Sequence, residues 1–309
     1  MSQKIVILGS FVVDLMGRAP HLPVPGESVK GSMFKMGPGG KGANQCVAAK
    51  RSGGDVVIIT KVGDDDFGRI GLRNFKDEGI DSKYIFVNRE STTATALILV
   101  DEVTGQNQIL VNLGALETFQ KAEIESASEE IKAASLFLTQ LETNIDAIEM
   151  AIDIAFNSGV KIVLNPAPIQ PIPDHILKKV YILTPNEVEA SILTGIDILT
   201  TEDARAAAHV LLKKGVSNVI ITLGDKGSLV VTPETERLIP CLNVKAVDTT
   251  GAGDAYNGGL VTALAEGKDI MEAAEFANIV ASLSVTKLGT ALSMPHRKEI
   301  DETVKGLLK

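Results

Sequence analysis

The sequence predicts an α/β protein: a mostly parallel sheet with helices on both faces, plus a small separate β-sheet. Three observations predict it. From Thr118 onward, apolar strand-length runs alternate with helix-length segments, the pattern of βαβ units. Two stretches, 11–36 and 83–114, break that alternation with successive strand-like segments and Pro or Gly punctuation. Glycine-dense turns at 37–42 and 251–253 each open a helix-like run, and several further polar residues fall just past strand ends, where open α/β sheets bind ligands.

Taken in order, residues 4–9 (KIVILG) read as a buried strand. Pro20, Pro23, Pro25 and Gly26 then interrupt any helical period. Residues 37–44 open a helix to Ser52; 56–62 is a strand and 67–78 a helix. Segments 83–88, 93–101 and 107–113 have no helix between them, so with 11–36 they predict one small antiparallel sheet. The main domain is then 1–10, 37–82 and 115–309. Helices are expected at 120–134, 145–158, 173–179, 187–194 and 201–214, with strands at 136–141, 161–165, 181–184 and 218–223. Residues 226–240 read as a hairpin or edge strands and 241–247 as a strand; helices at 253–266, 269–286 and 296–308 close the chain.

The formal net charge of −9 argues against nucleic acid or an anionic membrane as the main partner, but leaves room for a local anion hole. Two cysteines far apart, Cys46 and Cys241, give neither a disulfide framework nor a metal cluster. With no signal peptide and no apolar window of ~18 residues, the expected location is the cytoplasm. The four histidines form no spacing pattern.

The stretch that organises the chain is Asp248-Thr249-Thr250-Gly251-Ala252-Gly253-Asp254. A glycine turn entering a helix offers free N–H donors and a partial positive charge, which suits phosphate. A carboxylate at the mouth of an anion hole repels the ligand, so Asp254 needs a reason to be there. Taking a proton from an attacking hydroxyl is one; an ordinary N-cap is the other. Residues 37–42 (GPGGKG) satisfy G-x-G-x-x-G but do not follow the first strand, so the dinucleotide fingerprint fails. Walker A fails too, since Gly42 follows Lys41. Asn186 with Glu187 and Glu189 is a plausible helix start.

Together GGKGAN at 39–44, NPAP at 165–168, TPNE at 184–187, ITLGDKG at 221–227 and DTTGAGDAYNGG at 248–259 resemble the ribokinase (PfkB-type) sugar kinases over essentially the whole chain, and GGKGAN points to the ribokinase branch. The resemblance implies a parallel α/β domain with a β-sheet lid that commonly forms a homodimer contact, and ATP-dependent phosphorylation of a sugar hydroxyl with magnesium. It implies Asp254 as base, with the Gly251-Ala252-Gly253 turn stabilising the transferring phosphoryl. It places Asp14, Gly40, Lys41, Asn44 and Glu142 at the sugar, and Asn186, Thr222, Gly224, Gly227, Gly253 and Asn278 at the nucleotide. Glu189 would be linked to magnesium. Asp248, Thr250, Ser284, Lys287, Gly289 and Ser293 would surround a potassium ion. Two departures stand out. Val12 replaces an asparagine that ribokinases use on a sugar hydroxyl, as in the 2-deoxyribose kinases, and Leu116 stands where Gly-Ala-Asn is common. Ribose and 2-deoxyribose both remain open. A nucleoside or ketohexose kinase, or a catalytically silent sugar- or nucleotide-binding module, is the alternative.

Overall fold

The computed structural model describes residues 3–307. Side chains of a strand alternate between faces, and here that alternation feeds two cores. In β1 (Lys4–Leu8), Val6 and Leu8 enter one apolar cluster, Ile5 and Ile7 the other. The main sheet has nine strands in the order β13-β12-β11-β10-β9-β8-β1-β4-β5. Seven run parallel: β1, β4 (Asp55–Gly63), β5 (Asp81–Asn88), β8 (Leu136–Thr139), β9 (Lys161–Leu164), β10 (Ile182–Leu183) and β11 (Asn218–Thr222). β12 (Ser228–Val231) and β13 (Glu236–Ile239) add an antiparallel edge, as the hairpin at 226–240 suggested.

One face is covered by α3 (Lys121–Ser126), α4 (Ser128–Ala133), α5 (Ile145–Asn157), α6 (Asp174–Leu177), α7 (Glu187–Thr194) and α8 (Thr201–Lys213). The other is covered by α1 (Lys41–Arg51), α2 (Asp66–Asp77), α9 (Ala252–Ala265), α10 (Ile270–Ser284) and α11 (Arg297–Leu307). The expected helix 120–134 is two helices parted at Ala127. Residues 241–247 form no strand and instead run as irregular chain along a cavity wall. The last residue of the expected helix 296–308 lies outside the described residues. No helix among them is long and apolar enough to cross a membrane.

The second sheet has four strands in the order β3-β2-β6-β7: β2 (Val12–Ala19), β3 (Met33–Gly39), β6 (Ala94–Asp101) and β7 (Asn107–Asn112). Its membership corrects the expected boundaries. β5, assigned above to the small sheet, pairs with β4 in the main one, because α2 joins the two strands as a βαβ crossover. Residues 33–39 belong wholly to the small sheet, which is mixed rather than antiparallel, since β2 and β6 run parallel.

α9 is the buried spine, packed between α1 and α10. Gly258 and Gly259 allow this. A Cβ at Gly258 would stand 2.5 Å from the Ala48 Cβ and 2.7 Å from the Ala49 nitrogen; one at Gly259 would stand 2.9 Å from the Val280 Cγ2. The α1–α9 contact carries Asn44 and Gln45, one turn before Ala48, up to Asp254, one turn before Gly258.

Gly258→Ala tests that contact. Alanine gains about 1 kcal/mol of helix propensity, but overpacking against backbone costs ~1–3 kcal/mol. A lower urea midpoint is expected; an unchanged or higher one shows slack between the helices.

Candidate active site

The N-cap of α9 is Gly251, whose φ of 80° and ψ of 6° lie in the left-handed region, and no side chain caps this end. Its first turn therefore keeps its partial positive charge for a ligand. Asp254 belongs to that turn and is 6% exposed. It is not the N-cap: Gly251 is. Its two oxygens accept from α1: Asn44 Nδ2 donates to Oδ2 at 3.0 Å and Gln45 Nε2 to Oδ1 at 3.0 Å.

α1 also lacks a side-chain cap of its own, having Gly40 at the N-cap. Glu142, from the segment after β8, supplies one across 101 residues: its Oε2 accepts the Lys41 N–H at 2.9 Å and a hydrogen bond from Ser10 Oγ. The Ser10 oxygens accept from Gly42 N–H (3.3 Å) and Ala43 N–H (2.8 Å). Burial raises the Glu142 carboxyl above its usual range, although Lys41 and these hydrogen bonds pull it down. Burial opposes the charge on Lys41, but the carboxylates of Asp254, Glu142 and Glu189 outweigh it and hold its pKa above the ordinary lysine value.

Asp14 lies on β2, two residues after Val12 and on the same face. Among the described residues no protein donor bonds its carboxylate. Burial first, then Glu142 and Asp254, push its pKa up to about 6. Val12 is 4% exposed and shares the apolar cluster of Ala94, Ala96 and Leu116.

Two cavities meet at the α9 N-terminus. The smaller, about 180 Å³, is walled by Lys41, Asn165, Glu189, Gly251, Gly253 and Asp254 among others. Asp14, Gly40, Asn44 and Glu142 are not on its wall. The larger, about 540 Å³, has the size of a small-molecule site and apolar sides from Leu242, Val244, Ala246, Ala281 and Val285. Asn186, Thr222, Thr249, Ala252 and Gly253 border both. Gly224, Gly227 and Asn278 line the larger one. Asn186 and Glu189 form a capping box, each side chain accepting the other's backbone N–H (2.8 and 2.9 Å), so the helix-start role is present as well. Asn278 Nδ2 donates to Ser228 Oγ (3.1 Å) and Ile239 O (2.9 Å), fixing the β12–β13 edge.

The residues assigned to a cation draw together two loops, 246–250 and 284–293. Val285 O accepts from Val247 and Asp248 N–H (2.8 and 3.2 Å), and Asp248 accepts from Gly289 and Thr250 N–H (2.9 and 3.0 Å). Burial alone would raise the Asp248 carboxyl; those backbone donors outweigh it and hold it low. The Ser284 and Ser293 hydroxyls bond locally, and Lys287 pairs with Glu299 at 2.7 Å.

Comparison with known proteins now decides the family. Residues 2–297 match the model of the pfkB family carbohydrate kinases. The chain belongs to that family. It is 40% identical to a ribokinase of Haemophilus influenzae over 299 residues, 97% of each chain. It is 36% identical to a deoxyribokinase of Salmonella typhi over 299 residues, 96% of this chain and 97% of the relative. The structure of an Arabidopsis thaliana ribokinase complexed with ribose and ATP superposes with a TM-score of 0.92 at 29% identity, covering 99% of both chains. The kinase is thus an ATP-dependent carbohydrate kinase. Motif reading passed over Gln45, Gln140, Ser10 and Asn257. Gln45 had a signal in its position: a polar residue directly after Asn44, inside an otherwise apolar helix face.

The unpaired Asp14 gives a pH prediction. Its folded pKa of about 6 lies above that of an unfolded aspartate, ~3.9. The folded chain therefore binds the proton more tightly, and stability falls as pH rises from about 4 through about 6. Asp14→Asn should be more stable than the parent at pH 8 by on the order of 1–3 kcal/mol, with the gap closing toward about pH 4, near the unfolded aspartate's own value. Urea unfolding at both pH values checks this; a constant gap refutes it.

Proposed function

We propose that this kinase transfers the γ-phosphoryl group of ATP to the 5-hydroxyl of a pentose, D-ribose or 2-deoxy-D-ribose, with Asp254 as general base. The observation that carries this is the placement of a buried, amide-held carboxylate in the uncapped first turn of α9, where the two cavities join. A base must touch the hydroxyl while donors wait for charge on the phosphoryl group, and phosphoryl transfer needs little besides that positioning. The larger cavity suits the adenosine. Asp14 without a donor, and the buried Asn44 Oδ1 without a partner, are acceptors suited to sugar hydroxyls.

Val12 favours 2-deoxyribose. An apolar side chain facing a 2-hydroxyl leaves that group unpaired, at a cost of ~1–3 kcal/mol. Leu116 in the same apolar cluster extends this character. Ribose remains a substrate through Asp14, Lys41, Asn44 and Glu142.

Magnesium is held through one or two carboxylates plus substrate phosphates and keeps much of its water. Glu189, on the small cavity's wall with one oxygen free of the capping box, fits that mode of binding. Magnesium would neutralise phosphate charge. One carboxylate, Asp248, with loop carbonyls is a hard-oxygen set that fits potassium, whose role would be to order the turn leading into α9.

Outer positions of the small sheet leave Phe34, Met36, Leu97, Leu99 and Leu110 exposed. In register, Met36, Leu97 and Leu110 form one cross-strand row, and Phe34 and Leu99 lie in the next. A second copy of the chain covering this face would make a homodimer through the small sheet.

Phosphorylation of both sugars at equal subsaturating concentration, with ATP, magnesium and potassium, should show higher kcat/KM for 2-deoxyribose; Val12→Asn should shift the ratio toward ribose by about 5- to 100-fold. An unmoved ratio removes Val12 from specificity. Asp254→Asn should retain ATP affinity and lose at least ~10²-fold in kcat; near-normal turnover would sink the base assignment.

A further inference from the structure

Beneath Asp254 lies a belt of buried amides that the motif comparison assigns no role. Gln45 is fully buried and every polar hydrogen and its oxygen are used. Its Nε2 donates to Asp254 Oδ1 and to Asn165 Oδ1, both at 3.0 Å, and its Oε1 accepts from Gln140 Nε2 at 2.6 Å. Asn165 is oriented in turn, because its Nδ2 donates to Thr184 O at 3.0 Å. Thr184 Oγ1 donates to Asn257 Oδ1 (2.7 Å), and Asn257 Nδ2 donates to Gly253 O (2.8 Å), which returns the chain of bonds to the first turn of α9. Gln140, Thr184 and Asn257 are each 1% exposed and Asn165 is 8% exposed.

The direction of the bonds matters. If the Gln45 amide were reversed, its oxygen would face Asp254 Oδ1 and Asn165 Oδ1, two acceptors. Gln140 blocks that reversal by donating to Gln45 Oε1. Gln140 has room only because residue 9 is glycine: a Cβ there would stand 2.1 Å from Gln140 Oε1. A neutral donor is also the right partner for a base. An ammonium or guanidinium would neutralise Asp254, whereas an amide fixes one oxygen and surrenders no proton.

We propose that Gln45 and Gln140 are positioning residues for phosphoryl transfer: Gln45 fixes the rotamer of the Asp254 carboxylate, and Gln140 fixes the orientation of the Gln45 amide. This rests on Asp254 being the base. The consequence is a loss confined to kcat when the belt is cut, since a misplacement of about 1 Å costs ~10²-fold in rate while the ligand-contacting groups stay in place.

The test is a kinetic cycle on the full-length enzyme with ATP and its better pentose. The variants are Gln45→Leu, Gln140→Leu, Asp254→Asn and Gln45→Leu/Asp254→Asn, each checked for folding by circular dichroism and for ATP affinity by calorimetry. Gln45→Leu is expected to lose ~10²-fold in kcat and Gln140→Leu about tenfold, with both KM values within about threefold of the parent. With the base removed there is nothing left to orient, so the double variant should be no slower than Asp254→Asn alone. A further loss in the double variant, or a change carried by KM with kcat intact, overturns the proposal in favour of a packing role. Should Gln45→Leu fail to fold, Gln140→Leu decides, because it leaves both direct partners of Asp254 in place: parental kcat there overturns it. If Asp254→Asn itself turns over normally, the base reading fails, and this one with it. If Asp254→Asn is inactive while Gln45→Leu is not, only the positioning role fails.

Discussion

Two helices whose N-cap residues are glycines, α1 and α9, lie against each other at backbone distance, and the site depends on that contact. Their N-terminal turns converge because Gly258 leaves no side chain between α9 and the Ala48–Ala49 stretch of α1. Asp254 is then carried to within hydrogen-bond reach of Asn44 and Gln45. Burying a carboxylate without donors costs several kcal/mol, so the contact and the amides are one device. Wider spacing between the helices would leave the carboxylate buried and unpaired.

The charges around this contact are unbalanced in a useful way. Lys41 feels Asp254, Glu142 and Glu189 together, and Asp14 stands near two of them with no donor of its own. Glu142 has a second task, closing the N-terminus of α1 from a distant segment. A cluster of carboxylates beside a phosphate-binding helix terminus would repel ATP on its own. In the proposed reaction, a divalent ion beside Glu189 would relieve that repulsion, and a sugar hydroxyl would give Asp14 the donor it lacks. Burial and those neighbouring carboxylates raise the Asp14 pKa, so its charged form costs stability in the free protein.

Division of the chain into two sheets follows from the same economy of connections. β2 and β3 leave the main sheet immediately after β1 and return at Gly40, so Val12, Asp14, Gly40 and Lys41 all lie at the seam between sheets. The face of the small sheet bearing Asp14 faces this seam, and the opposite face carries exposed apolar rows.

The class of the fold was legible in the sequence because helix and strand periods are local: apolar spacing alone separates the alternating elements from the two interruptions. The family motifs were legible because they are contiguous, as at 39–44 and 248–259. Pairing was not legible. That residues 33–39 belong to the small sheet depends on which edge offers unpaired backbone groups, and no local pattern encodes that; for β5 the strand–helix–strand order β4–α2–β5 was visible, but the run of strands that follows it obscured its place beside β4. Nor does the run 241–247 declare that it forms a cavity wall instead of a strand. Asp254 could be singled out from its turn. The amide belt beneath it could not, since Gln45, Gln140 and Asn165 are separated by up to 120 residues and meet only where three strand ends and two helices are packed. The sequence by itself marked out a glycine turn entering a helix and the carboxylate within it; only tertiary packing decided what holds that carboxylate still, because hydrogen bonds between distant side chains exist only once the helices and strands that carry them have been brought into contact.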